Sequence, residues 1–178
     1  MRITTWNVNS IKQRLPHLLA FLAEARPDVV GLQELKCQDE AFPRADIEAA
    51  GYTVETLGQK AYNGVALLVR QPLTLSEIRR GLPGDASDEQ ARYIEALISG
   101  AETRPVRVAS IYLPNGNPVD SPKYAYKLAF MERLRLHARA LLRDEIAVVL
   151  AGDYNVIPEP ADAADPEAWR SDALFLGT

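Results

Sequence analysis

Two carboxylates and several amides stand where a buried chain would ordinarily stay apolar. Asp153 closes the run "IAVVLAG" (146–152), and Asn155 follows one residue later. Glu34 follows "DVVGL" and Gln33. Asn7 and Asn9 follow the opening run Ile3–Trp6, and Tyr112 and Asn115 follow the run beginning at Val106. Carboxylate and amide oxygens are hard ligands that suit Mg²⁺ or Mn²⁺, whereas zinc would call for His or Cys. Mg²⁺ is held through one or two carboxylates and keeps waters and substrate phosphate oxygens. Such a set suits metal-assisted phosphodiester hydrolysis. Each residue also has a plainer reading. Glu34 could pair with Lys36, Asp153 could close an Asx turn with Asn155, and Tyr112 could be a strand-end core aromatic. Those readings weaken together, because four strand ends carry polar groups where apolar ones would extend the core.

The elements that must hold these residues follow from periodicity. Ile3–Trp6 reads as a strand. Ser10 is placed to cap a helix from Ile11 to about Ala25, whose apolar positions Ile11, Leu15, Leu18, Leu19 and Leu22 recur at helical spacing. Pro27 ends it, and Asp28–Leu32 makes the next strand, so the two strands should be parallel. A short helix in "FPRADIEAAGY" stops at Gly51. Tyr52–Leu57, Gly64–Arg70, Arg92–Ile98 and Val106–Leu113 read as strands, with a polar loop at 81–90. Ser121-Pro122 opens a long amphipathic helix running to about Arg143. Its expected apolar stripe is Tyr124, Leu128, Met131, Leu134, Ala138, Leu141 and Leu142, with Lys127, Arg135, Arg139 and Arg143 mostly off it; the arginines read as a solvated face, with a basic patch as the alternative. Strand 146–150 follows. Residues 158–178 show no clear period. His17 and His137 read as ordinary helix-surface or packing residues. In open α/β sheets ligands bind beyond the carboxyl ends of strands, which is where the polar residues fall.

Composition sets outer bounds. With 178 residues, 47% hydrophobic and 25% charged, the chain is expected to form one globular domain. No run is long and apolar enough to span a membrane, and the N-terminus does not resemble a signal peptide. The single cysteine, Cys37, excludes an internal disulfide, and the expected compartment is the cytoplasm. A net charge of −4 argues against coating nucleic acid by bulk charge. A nucleic-acid enzyme remains open, since it can recruit a cation and place a few basic residues locally.

The motifs "TTWNVNSIKQR", "PDVVGLQELK", "YNGVALLVR", "RRGLPGD", "DEQARYI", "IYLPNG" and "LAGDYNVIP" occur in this order. Together they resemble the exodeoxyribonuclease III family of the deoxyribonuclease-I-like endonuclease/exonuclease/phosphatase superfamily. The resemblance implies an α/β fold, an α+β four-layer sandwich in full-length members. It implies a Mg²⁺-dependent enzyme (Mn²⁺ as an alternative ion) of base-excision repair. Such an enzyme cuts duplex DNA 5′ to abasic sites and removes nucleotides from 3′ ends. Carried over, Glu34 is the principal metal ligand with Asn7 beside it. Tyr112, Asp153 and Asn155 are catalytic: Tyr112 near the scissile phosphate, Asp153 activating or orienting the attacking water, Asn155 positioning Asp153 and the phosphate. Arg92, Lys36 and Asn115 are phosphate or DNA contacts. The family's second half supplies a further sheet, another Asp/Asn pair and a Ser-Asp-His, none of which is matched in 158–178. The expectation is therefore a single, C-terminally truncated domain over 1–178 with roughly one mixed sheet and flanking helices. It would leave an open apolar sheet face and a route to self-association. A catalytically inactive remnant binding metal or DNA weakly, and a small-molecule phosphoesterase of the same fold, are the alternatives. "QARYI" and "YLPNG" disfavour the latter.

Overall fold

The computed structural model describes residues 1–101 and 103–175. Eight strands form two four-stranded sheets. The first contains β1 (Ile3–Asn7), β2 (Val29–Gln33), β3 (Tyr52–Leu57) and β4 (Val65–Arg70) in the order β1-β2-β4-β3. The second contains β5 (Thr74–Arg80), β6 (Tyr93–Gly100), β7 (Thr103–Tyr112) and β8 (Ala147–Asp153) in chain order. Each sheet is mixed: β1 with β2 and β7 with β8 are parallel, and the other pairs antiparallel. Each parallel pair is joined by a helix, α1 (Ile11–Ala25) or α3 (Pro122–Leu141), as a parallel crossover requires.

The expectation of about one sheet with an open face is corrected here. The two sheets lie face to face. Val29, Val65, Leu67 and Val69 pack against Ile94, Ala96, Ile98 and Val108. The outer face of the first sheet, through Val30, Leu32, Ala66 and Leu68, is covered by α1 and by α2 (Arg44–Ala49). The outer face of the second is covered by α3 through Phe130 and Leu134. Strand β4 is therefore apolar from Val65 to Val69 because it buries both faces. The surface invoked for self-association is not bare. Strands β1 and β8, each the last in its sheet, lie beside one another.

Three local details depart from expectation. Ser10 makes no side-chain cap and has φ 88°. Its N–H instead bonds the Glu34 carbonyl and that of Ile11 bonds Leu35, so the chain leaving β1 runs beside the segment leaving β2. Ser121 does cap α3, accepting from the Lys123 N–H. The buried face of α3 is Lys127, Phe130, Leu134 and Leu141, while Leu128 and Leu142 are exposed, so the helix is turned relative to the expected stripe. The fourth helix, α4 (Pro166–Trp169), is a single turn. No described helix is long and apolar enough to cross a membrane.

Strand β8 continues past its apolar run, so that Gly152 pairs with Ile111 and Asp153 with Tyr112. A methyl group on Gly152 would lie 2.0 Å from the Ile111 carbonyl oxygen. The obstacle is backbone, so the strands would have to part. Gly152→Ala is expected to destabilise the protein by about 1–3 kcal/mol, the range of core overpacking. Urea unfolding with an unchanged m-value would measure this as a lowered midpoint.

Candidate active site

The polar residues converge at one end of the sandwich, where the carboxyl ends of the parallel strands β1, β2, β7 and β8 meet. Glu34 is the first residue after β2, Asn7 the last of β1, Tyr112 the last of β7 and Asp153 the last of β8. The two carboxylates come from different sheets and meet at one side chain. Asn7 Nδ2 donates to Glu34 Oε1 at 2.9 Å and to Asp153 Oδ2 at 2.8 Å. Tyr112 Oη donates to the same Glu34 oxygen at 2.9 Å. Lys36 Nζ lies 3.0 Å from Glu34 Oε2 and also donates to Asn9 Oδ1. Asn155 N–H donates to Asp153 Oδ1 at 3.0 Å, and its side-chain amide donates to the Leu113 carbonyl at 2.8 Å. Both oxygens of Asp153 are thus held, and its orientation is fixed from two sides.

The backbone around these groups is unusual. Asn9, Ser10, Glu34, Lys36 and Asn155 all have positive φ. Non-glycine residues in that region carry strain, which clusters at functional sites. Beneath the mouth, Gln33 Nε2 donates to Ser110 Oγ and Thr5 Oγ1, and Ser110 Oγ donates to the Leu32 carbonyl. This buried polar strap ties β2 to β7 and sets one sheet against the other directly under Glu34.

The electrostatics assign protonation states. Burial raises the Glu34 pKa, but hydrogen bonds from Asn7, Lys36 and Tyr112, with the Lys36 charge, more than offset it. The net shift is down, so Glu34 is a carboxylate at neutral pH. Tyr112 moves strongly upward, through burial first and then through the Glu34 carboxylate it bonds. It remains a phenol and acts as a donor, not as a base.

Beside this cluster opens a cleft of about 430 Å³, lined by Tyr62, Asn63, Arg92, Asn115, Lys123 and Tyr126 among others. The Arg92 guanidinium stacks 4.9 Å from the Tyr112 ring centroid and 6.0 Å from that of Tyr126. Its Nε donates to Gln90 Oε1 at 2.7 Å. Arg92 therefore joins the cleft wall to the carboxylate cluster. Asn115 is exposed at the rim, its side chain accepting from the Asn117 N–H. All eight residues singled out from the sequence fall in the carboxylate cluster or the cleft next to it. His17 and His137 do not: His17 is exposed on α1, and His137 bonds Glu95 on β6.

The donor set fits a divalent cation of the Mg²⁺ or Mn²⁺ kind. It offers two carboxylates, and His and Cys do not contribute; the Asn7 amide turns Nδ2 to both carboxylates and Oδ1 to the Asn9 N–H, so as a ligand it would have to turn its oxygen to the ion. No group of three or more His, Cys, Asp or Glu is gathered among the described residues.

Sequence reasoning missed Lys127, Gln33 and Ser110. Lys127, expected off the apolar stripe, is fully buried. Its spacing to Phe130 and Leu134, three and seven residues, was a usable signal.

Comparison with known proteins gives the family and the fold. The profile of the Endonuclease/Exonuclease/phosphatase family matches residues 4–177, and the chain belongs to that family. Exodeoxyribonuclease III of Haemophilus influenzae is 35% identical over 178 residues, covering 99% of this chain and 66% of that protein. The solved 3′-5′ exonuclease from Neisseria meningitidis superposes with a TM-score of 0.88 at 41% identity, covering 96% of this chain and 64% of that one. An AP endonuclease from Archaeoglobus fulgidus gives a TM-score of 0.87 at 36% identity, covering 98% and 65%. The chain spans about two thirds of the length of these relatives.

Proposed function

We propose that the protein is a Mg²⁺-dependent DNA phosphodiesterase of exodeoxyribonuclease III type, cutting duplex DNA 5′ to abasic sites and trimming 3′ ends. The observation that carries this is the meeting of Glu34 and Asp153, from separate sheets, on the Asn7 amide, beside a cleft bearing Arg92, Lys123 and Asn115. The names of the relatives, an exodeoxyribonuclease, a 3′-5′ exonuclease and an AP endonuclease, support the same chemistry.

In this reading Glu34 and Asn7 would hold the ion, and the ion would supply positive charge to the phosphate oxygens. Asp153 orients the attacking water and receives its proton. Asn155 keeps the Asp153 carboxylate aimed through its N–H. Tyr112 donates from a phenol that stays protonated, and Arg92 and Lys36 add fixed positive charge toward the phosphate. Asn115 lines the path of the strand. Contacts to backbone phosphate carry no direct base information, so little sequence preference is expected.

The test is cleavage of a duplex oligonucleotide carrying one abasic-site analogue, with Mg²⁺ and with EDTA. Incision immediately 5′ to the lesion, abolished by EDTA, is the expected outcome. Folded protein that leaves the duplex intact in Mg²⁺ would overturn the proposal. So would hydrolysis confined to a small phosphodiester such as bis(p-nitrophenyl) phosphate.

A further inference from the structure

The most heavily buried charge near the site belongs to a residue with no role so far. Lys127 is 0% exposed, on the inner face of α3. Its Nζ donates to three backbone carbonyls: Ala173 at 2.7 Å, Asn155 at 2.8 Å and Asn115 at 3.4 Å. An ammonium has three donors and no acceptor, so the cage uses its full capacity. The three carbonyls lie on separate segments: the loop after β7, the turn after β8 and the tail at 172–174. Asn117 ties the same segments together, donating to Asp172 Oδ1 and accepting from the Ala173 N–H, and Ile157 N–H reaches the Leu174 carbonyl. Gly116 fits closely over the lysine stem, since a Cβ there would lie 2.8 Å from Lys127 Cδ.

Stability alone does not call for a charge at this place. A buried charge is costly, and an apolar side chain of similar volume often serves a core as well or better. What the ammonium adds is direction: three backbone oxygens are drawn to one point. One of them belongs to Asn155, whose own N–H holds Asp153, and another to Asn115 at the cleft rim.

We infer that Lys127 is a positioning residue for the hydrolytic centre, a tethered cation that sets the Asn115 loop and the Asp153–Asn155 turn against each other. It acts through backbone and does not touch the reacting atoms. Its effect on turnover rests on the nuclease reading above. Its effect on the Asp153–Asn155 turn does not.

Amide hydrogen exchange in Lys127→Met and Lys127→Arg, with steady-state cleavage of the abasic duplex, tests this. In Lys127→Met the Asn155 N–H is expected to exchange at least about tenfold faster while Leu67 and Val108 amides keep their rates. Turnover is expected to fall about 10- to 100-fold in kcat, the scale of a small misplacement of catalytic groups. KM and Mn²⁺ affinity should stay within about threefold. Lys127→Arg, which keeps the charge, should retain slow Asn155 exchange and most of kcat. Asn155 exchange within about threefold of the parent overturns the inference. So does equal acceleration of the Leu67 and Val108 amides, which would make Lys127 a general fold contact. If Lys127→Met does not fold, Lys127→Arg decides: fast Asn155 exchange in that folded variant also overturns it. A parent protein that does not cut DNA would count against the nuclease reading, and Asn155 exchange would then decide the role of Lys127 alone.

Discussion

Asp153→Asn is expected to lower the rate of Mg²⁺-dependent DNA cleavage by about 10²–10⁴, the usual worth of a positioned proton acceptor. The substitution keeps the size of the side chain and an acceptor oxygen for the Asn155 N–H, so the turn at the end of β8 should survive. It removes the negative charge and the capacity to take a proton from water. Glu34 keeps Tyr112 and Lys36, and Asn7 Nδ2, which loses its acceptor on residue 153, keeps only the bond to Glu34 Oε1. Mn²⁺ affinity, read by electron paramagnetic resonance, should therefore change by less than about tenfold. Single-turnover cleavage separates the chemical step from binding. A loss smaller than about tenfold would remove Asp153 from the water-activating role. A loss of metal binding as large as the loss of rate would make it a ligand instead.

The site was legible because its signal is a violation of pattern. Polar Glu34, Tyr112, Asp153 and Asn7 close apolar or β-branched runs, and the topology brings those four strand ends together. The parallel pairing of β1 with β2 was readable too, from the helix between them. The second sheet was not. Val65, Leu67 and Val69 look like any buried strand residues, and nothing local says that they meet Ile94 and Ile98 across a sheet interface rather than lying under a helix. Strand β5 went unread for the opposite reason. Its sequence TLSEIRR is almost wholly exposed, at an edge, with a bulge between Ser76 and Arg79 in its pairing with β6, so no alternation survives. Lys127 is not legible as a buried residue because a charged side chain falls outside any apolar stripe. The three carbonyls that make its burial tolerable come from residues 115, 155 and 173, and their meeting is a tertiary fact. The Ser10 cap failed for a related reason. Backbone bonds from Ser10 and Ile11 to Glu34 and Leu35 fix a conformation in which its side chain does not cap the helix.

Glu95→Ala is expected to cost about 3–5 kcal/mol of stability, the penalty for removing one partner of a buried ion cluster. Glu95 is 1% exposed on β6. It accepts from Tyr93 Oη, from His137 Nε2 at 2.9 Å and from Arg79 Nε at 3.1 Å, with Arg107 3.8 Å away and itself paired to Glu77. Removing the carboxylate leaves Tyr93 on β6, His137 on α3 and Arg107 on β7 without their common acceptor. Burial raises the Glu95 pKa, but the Tyr93 and His137 bonds and the His137 and Arg107 charges outweigh it, and the net shift is down. A depressed folded pKa gives stability that is complete above the ordinary glutamate value of about 4.3 and is lost as pH falls through the lower folded value. The stability gap between parent and variant should thus be widest near neutrality and shrink on acidification below about pH 4. Urea unfolding from pH 7 to 3 measures it, and a gap that widened with acid would contradict the assignment. No hydrogen bond or ion pair joins this cluster to the candidate site among the described residues. Below its lowered melting point the variant should keep the parent's KM and kcat on DNA. That separates the two devices in the second sheet: Glu95 holds α3 onto β6, whereas Asp153, at the end of β8, belongs to the candidate site and in the proposed reaction serves the attacking water.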